Sequence, residues 1–126
     1  MDQMTIATRA EAGEDAALLL RDLYQKTFPP VRSRDHTVEE CETADLRAFR
    51  FFRMIGAEAY VDAAMMLIAP NTFYHISQFS EDGGSGAEAH VYPNRNVGDD
   101  YAGEGPTPAH ALIAAIDRAS ALQPTG

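Results

Sequence analysis

Four side chains in the second half of the chain carry acid–base or hydrogen-bonding chemistry at the spacing of extended strands: His75 and Ser77, then His90 and Tyr92. Alternation along a strand puts His75 and Ser77 on one side of the first segment, and His90 and Tyr92 on one side of the second. If residues 81–86 connect two antiparallel strands, Ser77 faces His90, His75 faces Tyr92, and Ile76 meets Val91 on the other side. Two imidazoles and a hydroxyl are parts of an acid–base site. The sequence places no carboxylate to orient either ring, so a hydrolase using His75 or His90 is the least favoured reading. Phe73 and Phe79 share this side and make it too apolar to stand idle in water. The expectation is a binding face, or a face covered by a second copy of the chain.

A second group is basic. Arg32, Arg34, Arg47, Arg50 and Arg53 are half of the ten Lys and Arg residues of the chain. Helical spacing gathers Arg47, Arg50 and Arg53 on a face opposite Ala48, Phe49 and Phe52, and Arg32 and Arg34 can join them from the preceding loop. Guanidinium forks match the geometry of phosphate and carboxylate, so this strip suits a small anionic ligand. Asp35, Glu39, Glu40, Glu42 and Asp45 are interleaved with it, which also fits a solvated helix face. Both readings stay open.

Other constellations have plainer explanations. Cys41 lies among Glu39, Glu40 and Glu42, which disfavour a thiolate. Asp35, His36, Glu39 and Glu40 resemble a metal-ligand set, but Thr37-Val-Glu-Glu40 already reads as a capping box that opens a helix. Asn94, Asn96, Asp99, Asp100 and Glu104 do not follow the spacing of a calcium loop. Residues 83–86, Gly-Gly-Ser-Gly, join two strands and not a strand to a helix, so no helix N-terminus is offered to a phosphate. The expectation is no metal, no cofactor and no enzymatic activity.

The elements that must position these residues follow from periodicity. Residues 14–27 read as an amphipathic helix with Ala16, Leu19, Leu20, Leu23 and Tyr24 on one face, Glu14 and Asp15 in its first turn, and Pro29-Pro30 as its stop. Residues 38–68 read as helix with Ala48, Phe49, Phe52 and Ile55 inward, and with Gly56 as a cap or kink. Residues 72–79 and 87–92 read as a hairpin, and a short third strand is expected near residues 100–103. Thr107-Pro108 opens a last helix whose buried stripe is Ala109, Leu112, Ile113, Ile116 and Ser120, with His110, Asp117 and Arg118 opposite. Residues 1–12 lack a clear period and read as an arm. The order is α+β: N-terminal helices and a C-terminal helix packed on a short antiparallel hairpin or meander, α-α(-α)-β-β-β-α, in one domain spanning 1–126.

The totals narrow the partners. A net charge of −9 over 126 residues disfavours nucleic-acid duplexes and anionic membrane surfaces, and admits a basic partner. A single cysteine gives no disulfide framework, the start has no apolar signal region, and no run is long enough to span a membrane, so a cytoplasmic location is expected.

Two resemblances follow. The order of strands before an Ala-rich helix, with Gly103-Glu-Gly105 ahead of it, resembles the double-stranded-RNA-binding domain. That family carries a lysine cluster at the helix start, where this chain has Thr107-Pro-Ala-His110, and the resemblance to it therefore implies no RNA binding here. Residues 60–70, Tyr-Val-Asp-Ala-Ala-Met-Met-Leu-Ile-Ala-Pro, and residues 101–112, Tyr-Ala-Gly-Glu-Gly-Pro-Thr-Pro-Ala-His-Ala-Leu, resemble the uncharacterised ABA-sandwich proteins of phages and prophages, over roughly residues 57–122. That resemblance brings no catalytic residues. It implies a phage or prophage accessory protein acting inside a bacterial cell; the residues themselves, through the apolar side of the hairpin, add the expectation of a homo-oligomer without enzymatic activity. One version is a counter-defence sponge that sequesters a nucleotide-derived signal with the arginines and with His75, Ser77, His90 and Tyr92. The alternative is an acidic inhibitor or DNA mimic that engages a basic host protein.

Overall fold

Helix α5 (Pro108–Leu122) is the element the others surround. In the computed structural model, which describes residues 5–28, 34–81, 84–93 and 98–122, it follows α1 (Ile6–Glu11), α2 (Ala16–Thr27), α3 (Val38–Gly56), α4 (Tyr60–Met65), β1 (Phe73–Glu81), β2 (Gly84–Tyr92) and β3 (Tyr101–Gly105). The three strands form one antiparallel sheet in the order β1-β2-β3. The α+β architecture expected from the sequence is the one observed. Helix α5 lies on one face of the sheet, and α1, α2 and α4 pack around α5. Among the described residues no helix is long and apolar enough to cross a membrane.

The expected polar side of α5 is corrected, because Asp117 is only 3% exposed and His110 9%. Alanine explains how a helix can be enclosed all round. Small side chains let neighbours approach closely, and Ala109, Ala111, Ala114, Ala115 and Ala119 are all buried. The approach is tightest at β3, where a Cβ added to Gly103 would fall 2.4 Å from the Ala111 carbonyl oxygen and 2.5 Å from the Ala115 nitrogen. The two enclosed polar groups are satisfied. The Ala7 N–H and the Lys26 ammonium donate to the Asp117 carboxylate at 2.9 and 2.6 Å. His110 Nε2 lies 2.7 Å from the Glu14 carbonyl, which can only accept, so Nδ1 accepts from the Thr107 hydroxyl at 2.6 Å.

The N-terminal stretch is also corrected. Residues 6–11 form a helix, capped by the Thr5 hydroxyl, and Ala7 and Ala10 are buried within the core cluster that α5 anchors. A helix of six residues is too short to show a period, so only packing reveals it. At α2, Asp15 is the N-cap and not a first-turn residue, accepting from the Ala17 N–H. The capping box at Thr37 and Glu40 is formed as the sequence suggests. Helix α3 ends at Gly56, and Glu58, at a φ of 60°, turns the chain into α4, so the expected 38–68 span is two helices. Its inner stripe is rotated from the expected one. Phe51 is fully buried and Ile55 nearly so, while Phe49 is 61% and Phe52 41% exposed. The reason is the partner surface: Phe51 packs against Tyr24 of α2 in a tilted pair at a centroid distance of 4.5 Å, which fixes the rotation of α3 about its own axis.

Candidate functional site

Strand alternation divides the sheet into two chemically different faces. Ala87, Ala89 and Val91 of β2 and Gly103 of β3 turn towards α5 and are buried. The other face carries Phe73, His75, Ser77 and Phe79 on β1, Glu88, His90 and Tyr92 on β2, and Ala102 and Glu104 on β3. Phe73 is 50% exposed and Phe79 44%, and His75 and Ser77 are exposed as well. Phe79 lies across Gly86, with its ring edge 2.8 Å from where a Cβ would stand, so the missing side chain seats the aromatic ring.

The hairpin register differs from the expected one by two residues. His75 pairs with His90, Ser77 with Glu88, Phe73 with Tyr92 and Ile76 with Ala89, because pairing continues outward to Glu81 and Gly84 and leaves only positions 82 and 83 between the strands. A shift of two preserves the faces, so the expected group still shares one side. The expectation that no carboxylate orients either imidazole is overturned. His90 Nδ1 lies 2.7 Å from Asp100 Oδ1 and Nε2 lies 2.6 Å from Glu88 Oε1. The hydrogen bond that His90 donates to Asp100, with a smaller contribution from the one to Glu88, raises the His90 pKa above its ordinary value against the opposing effect of partial burial. Its ring stacks nearly parallel to Tyr92, at 6.3 Å and 8°. With both nitrogens engaged, His90 has none left to take a proton from a substrate. It acts as a clasp between β2 and the residue that leads into β3, and protonation of the ring strengthens it.

The signal for half of this clasp was present in the sequence. Glu88 precedes His90 by two residues and therefore shares its face. Asp100 could not be placed without the β2–β3 register, which pairs His90 with Ala102.

The described arginines of the predicted group lie elsewhere, on the helical side. Arg47 stacks over Phe28 at 3.9 Å and its Nε donates to the Tyr24 hydroxyl at 3.4 Å. It is half-buried and bound into the α2–α3 junction, not set in a solvent-facing strip. Arg50 and Arg53 are exposed on α3, with the Arg53 guanidinium 6.0 Å from the Phe49 ring centre. Arg34 contacts Asp35 at 3.6 Å, and Arg32 lies outside the described residues. The structure therefore keeps the described arginines, Arg34, Arg47, Arg50 and Arg53, and the histidine group on separate surfaces.

Among the described residues, no group of three or more His, Cys, Asp or Glu side chains is arranged to hold a metal ion. Cys41 is a partly covered free thiol. Asn94 and Asn96 of the acidic loop lie outside the described residues. A cavity of about 400 Å³ opens beside α5, lined by Phe28, Leu67, Val91 and Ile116 with Lys26 and Ser120 among its polar groups. Comparison of the chain with protein-family models, curated proteins and solved structures gave no match.

Proposed function

We propose that this is a non-enzymatic binding protein whose uncovered sheet face takes a basic segment of another protein. The observation that carries the reading is the composition of that face. Phe73, Phe79 and Tyr92 supply aromatic anchors, Glu88 and Glu104 supply negative charge, and no lysine or arginine is among its described side chains. Aromatic residues within a charged rim are what protein-binding surfaces use, and the charge selects a cationic partner. The net charge of −9 adds long-range attraction of the same sign. The phage resemblance supplies the setting of this proposal: a phage or prophage accessory protein in a bacterial cytoplasm, directed at a basic host factor.

A sponge for a small nucleotide-derived anion is the second reading, favoured by exposed Arg50 and Arg53 beside Phe49. Support for it is narrower, since Arg47 is committed to Phe28 and Tyr24, and the histidines lie on another surface. The test is amide chemical-shift mapping with two probes, a Lys/Arg-rich amphipathic peptide and a cyclic dinucleotide. Shifts confined to the exposed face of β1, β2 and β3 with the peptide, and a tenfold loss of affinity in Phe79→Ser or Glu104→Gln, support the protein-binding reading. Saturable dinucleotide shifts on α3, with no response to the peptide, overturn it.

A further inference from the structure

Helix α3 carries a charge order that its own chain leaves unanswered. Glu39, Glu40, Glu42 and Asp45 occupy its first half, and Arg47, Arg50 and Arg53 its second. Like charges stand three residues apart, at Glu39, Glu42 and Asp45 and again at Arg47, Arg50 and Arg53, which disfavours an isolated helix. No opposite charges occur at three- or four-residue spacing within it. Among the described residues, Glu42, Asp45, Arg50 and Arg53 form no ion pair with any other part of the chain.

The face concerned points away from the core. At about 100° per residue, Leu46 lies diametrically opposite Ile55, which is buried, and Glu39, Glu42, Phe49, Arg50 and Arg53 fall within about 60° of Leu46. Leu46 is 51% exposed and Phe49 61%, so the middle of this outward face is apolar. Positions 39, 42, 46, 49 and 53 follow alternating steps of three and four, which is the seam spacing of a two-helix coiled coil.

We propose that this face of α3 is the contact of a symmetric dimer, in which α3 of a second copy lies antiparallel to it. Antiparallel pairing sets the acidic half of each helix against the basic half of the other, whereas parallel pairing would set like on like. The register that places Leu46 of one copy on Phe49 of the other also places Glu42 on Arg53. By symmetry each of these contacts occurs twice. Two apolar layers then lie at the centre with an ion pair at each end, along a helix about 28 Å long at 1.5 Å per residue. The pattern asks for a second copy of this chain, because the complement of the face is the face itself. The sheet face is not used, so this inference and the proposed function stand or fall separately.

The experiment is analytical ultracentrifugation of the full chain and of three variants, with circular dichroism to check each fold. The wild type is expected to sediment at twice its 13.7 kDa mass. Glu42→Arg and Arg53→Glu each place like charges against one another, and each is expected to weaken association at least tenfold. The double variant, Glu42→Arg with Arg53→Glu, restores it. Mixing the two single variants also restores it, since both ion layers are then complementary, one with its sign reversed and one as in the wild type. That mixture separates a lost contact from a lost fold, because two misfolded chains do not rescue one another. A wild type that stays monomeric at all concentrations overturns the proposal, as does a dimer unaffected by either single variant or single variants that the mixture fails to rescue.

Discussion

The Lys26 ammonium and the Asp117 carboxylate meet at 2.6 Å, although the aspartate side chain is only 5% exposed and the lysine 43%. The second oxygen of Asp117 accepts the Ala7 N–H of α1, so one carboxylate ties α1 and α2 to α5. Replacing Lys26 by Met keeps its apolar stem and leaves the enclosed carboxylate with one partner fewer, at an expected cost of about 1–3 kcal/mol. Asp117→Ala should cost more than Asp117→Asn, because the amide can still accept from Ala7. Urea denaturation of the three variants gives the order.

Stability should fall as the pH rises from near neutrality. The folded pKa of His90 lies above its ordinary value of 6.5, principally through Asp100. A raised folded pKa means that the clasp contributes fully below the unfolded value, and that its contribution is lost as the pH rises through the folded one. The thermal midpoint of the wild type, minus that of His90→Gln, should therefore shrink as the pH is raised above about 6.5. A difference that stays constant with pH would remove the clasp from the account.

Glycine positions should respond in opposite directions. Gly103→Ala forces a methyl group into the backbone of α5 and should cost several kcal/mol, in the range of about 1–3 or beyond that overpacking a core produces. Gly56 has open space where a Cβ would stand and lies at the end of a helix, so Gly56→Ala should stabilise by about 0.4–1 kcal/mol. Chemical denaturation of both proteins tests the contrast.

Loss of the cap that opens α3 is a local matter. Thr37→Ala removes an acceptor for the Glu40 N–H and is expected to cost about 0.5–2 kcal/mol. If the cost appears in melting without changing the self-association of the chain, α3 holds its shape beyond its first turn.

What could be read from the sequence, and what could not, follows from the range of the interactions. The Thr37–Glu40 box and the sidedness of β1 and β2 are decided by neighbours a few residues apart, whereas the hairpin register, two residues from the expected one, is not. The rotation of α3 is decided by Tyr24, far away in sequence, which is why Phe51 and not Phe49 turned out to be the inner aromatic residue. The burial of Asp117 depends on Ala7 and Lys26, and a helix alone gives no hint of either. At the candidate site, alternation placed His75, Ser77, His90 and Tyr92 on one face. The Asp100 contact required the third strand. The arginines shared a helical period, but their fates diverged once Phe28 and Tyr24 took Arg47.

The position of α5 in the chain bears on how the protein comes to be made. It is the support of α1, α2, α4 and the sheet, yet it follows all of them in sequence. As the polypeptide leaves the ribosome, Leu19, Leu20, Leu23 and Val91 emerge before the surface that will cover them. The core can close only after Leu112, Ile113 and Ile116 have been released. Until then the nascent hairpin shows apolar groups on both faces, which makes this interval the one in which premature contact between neighbouring chains competes with folding.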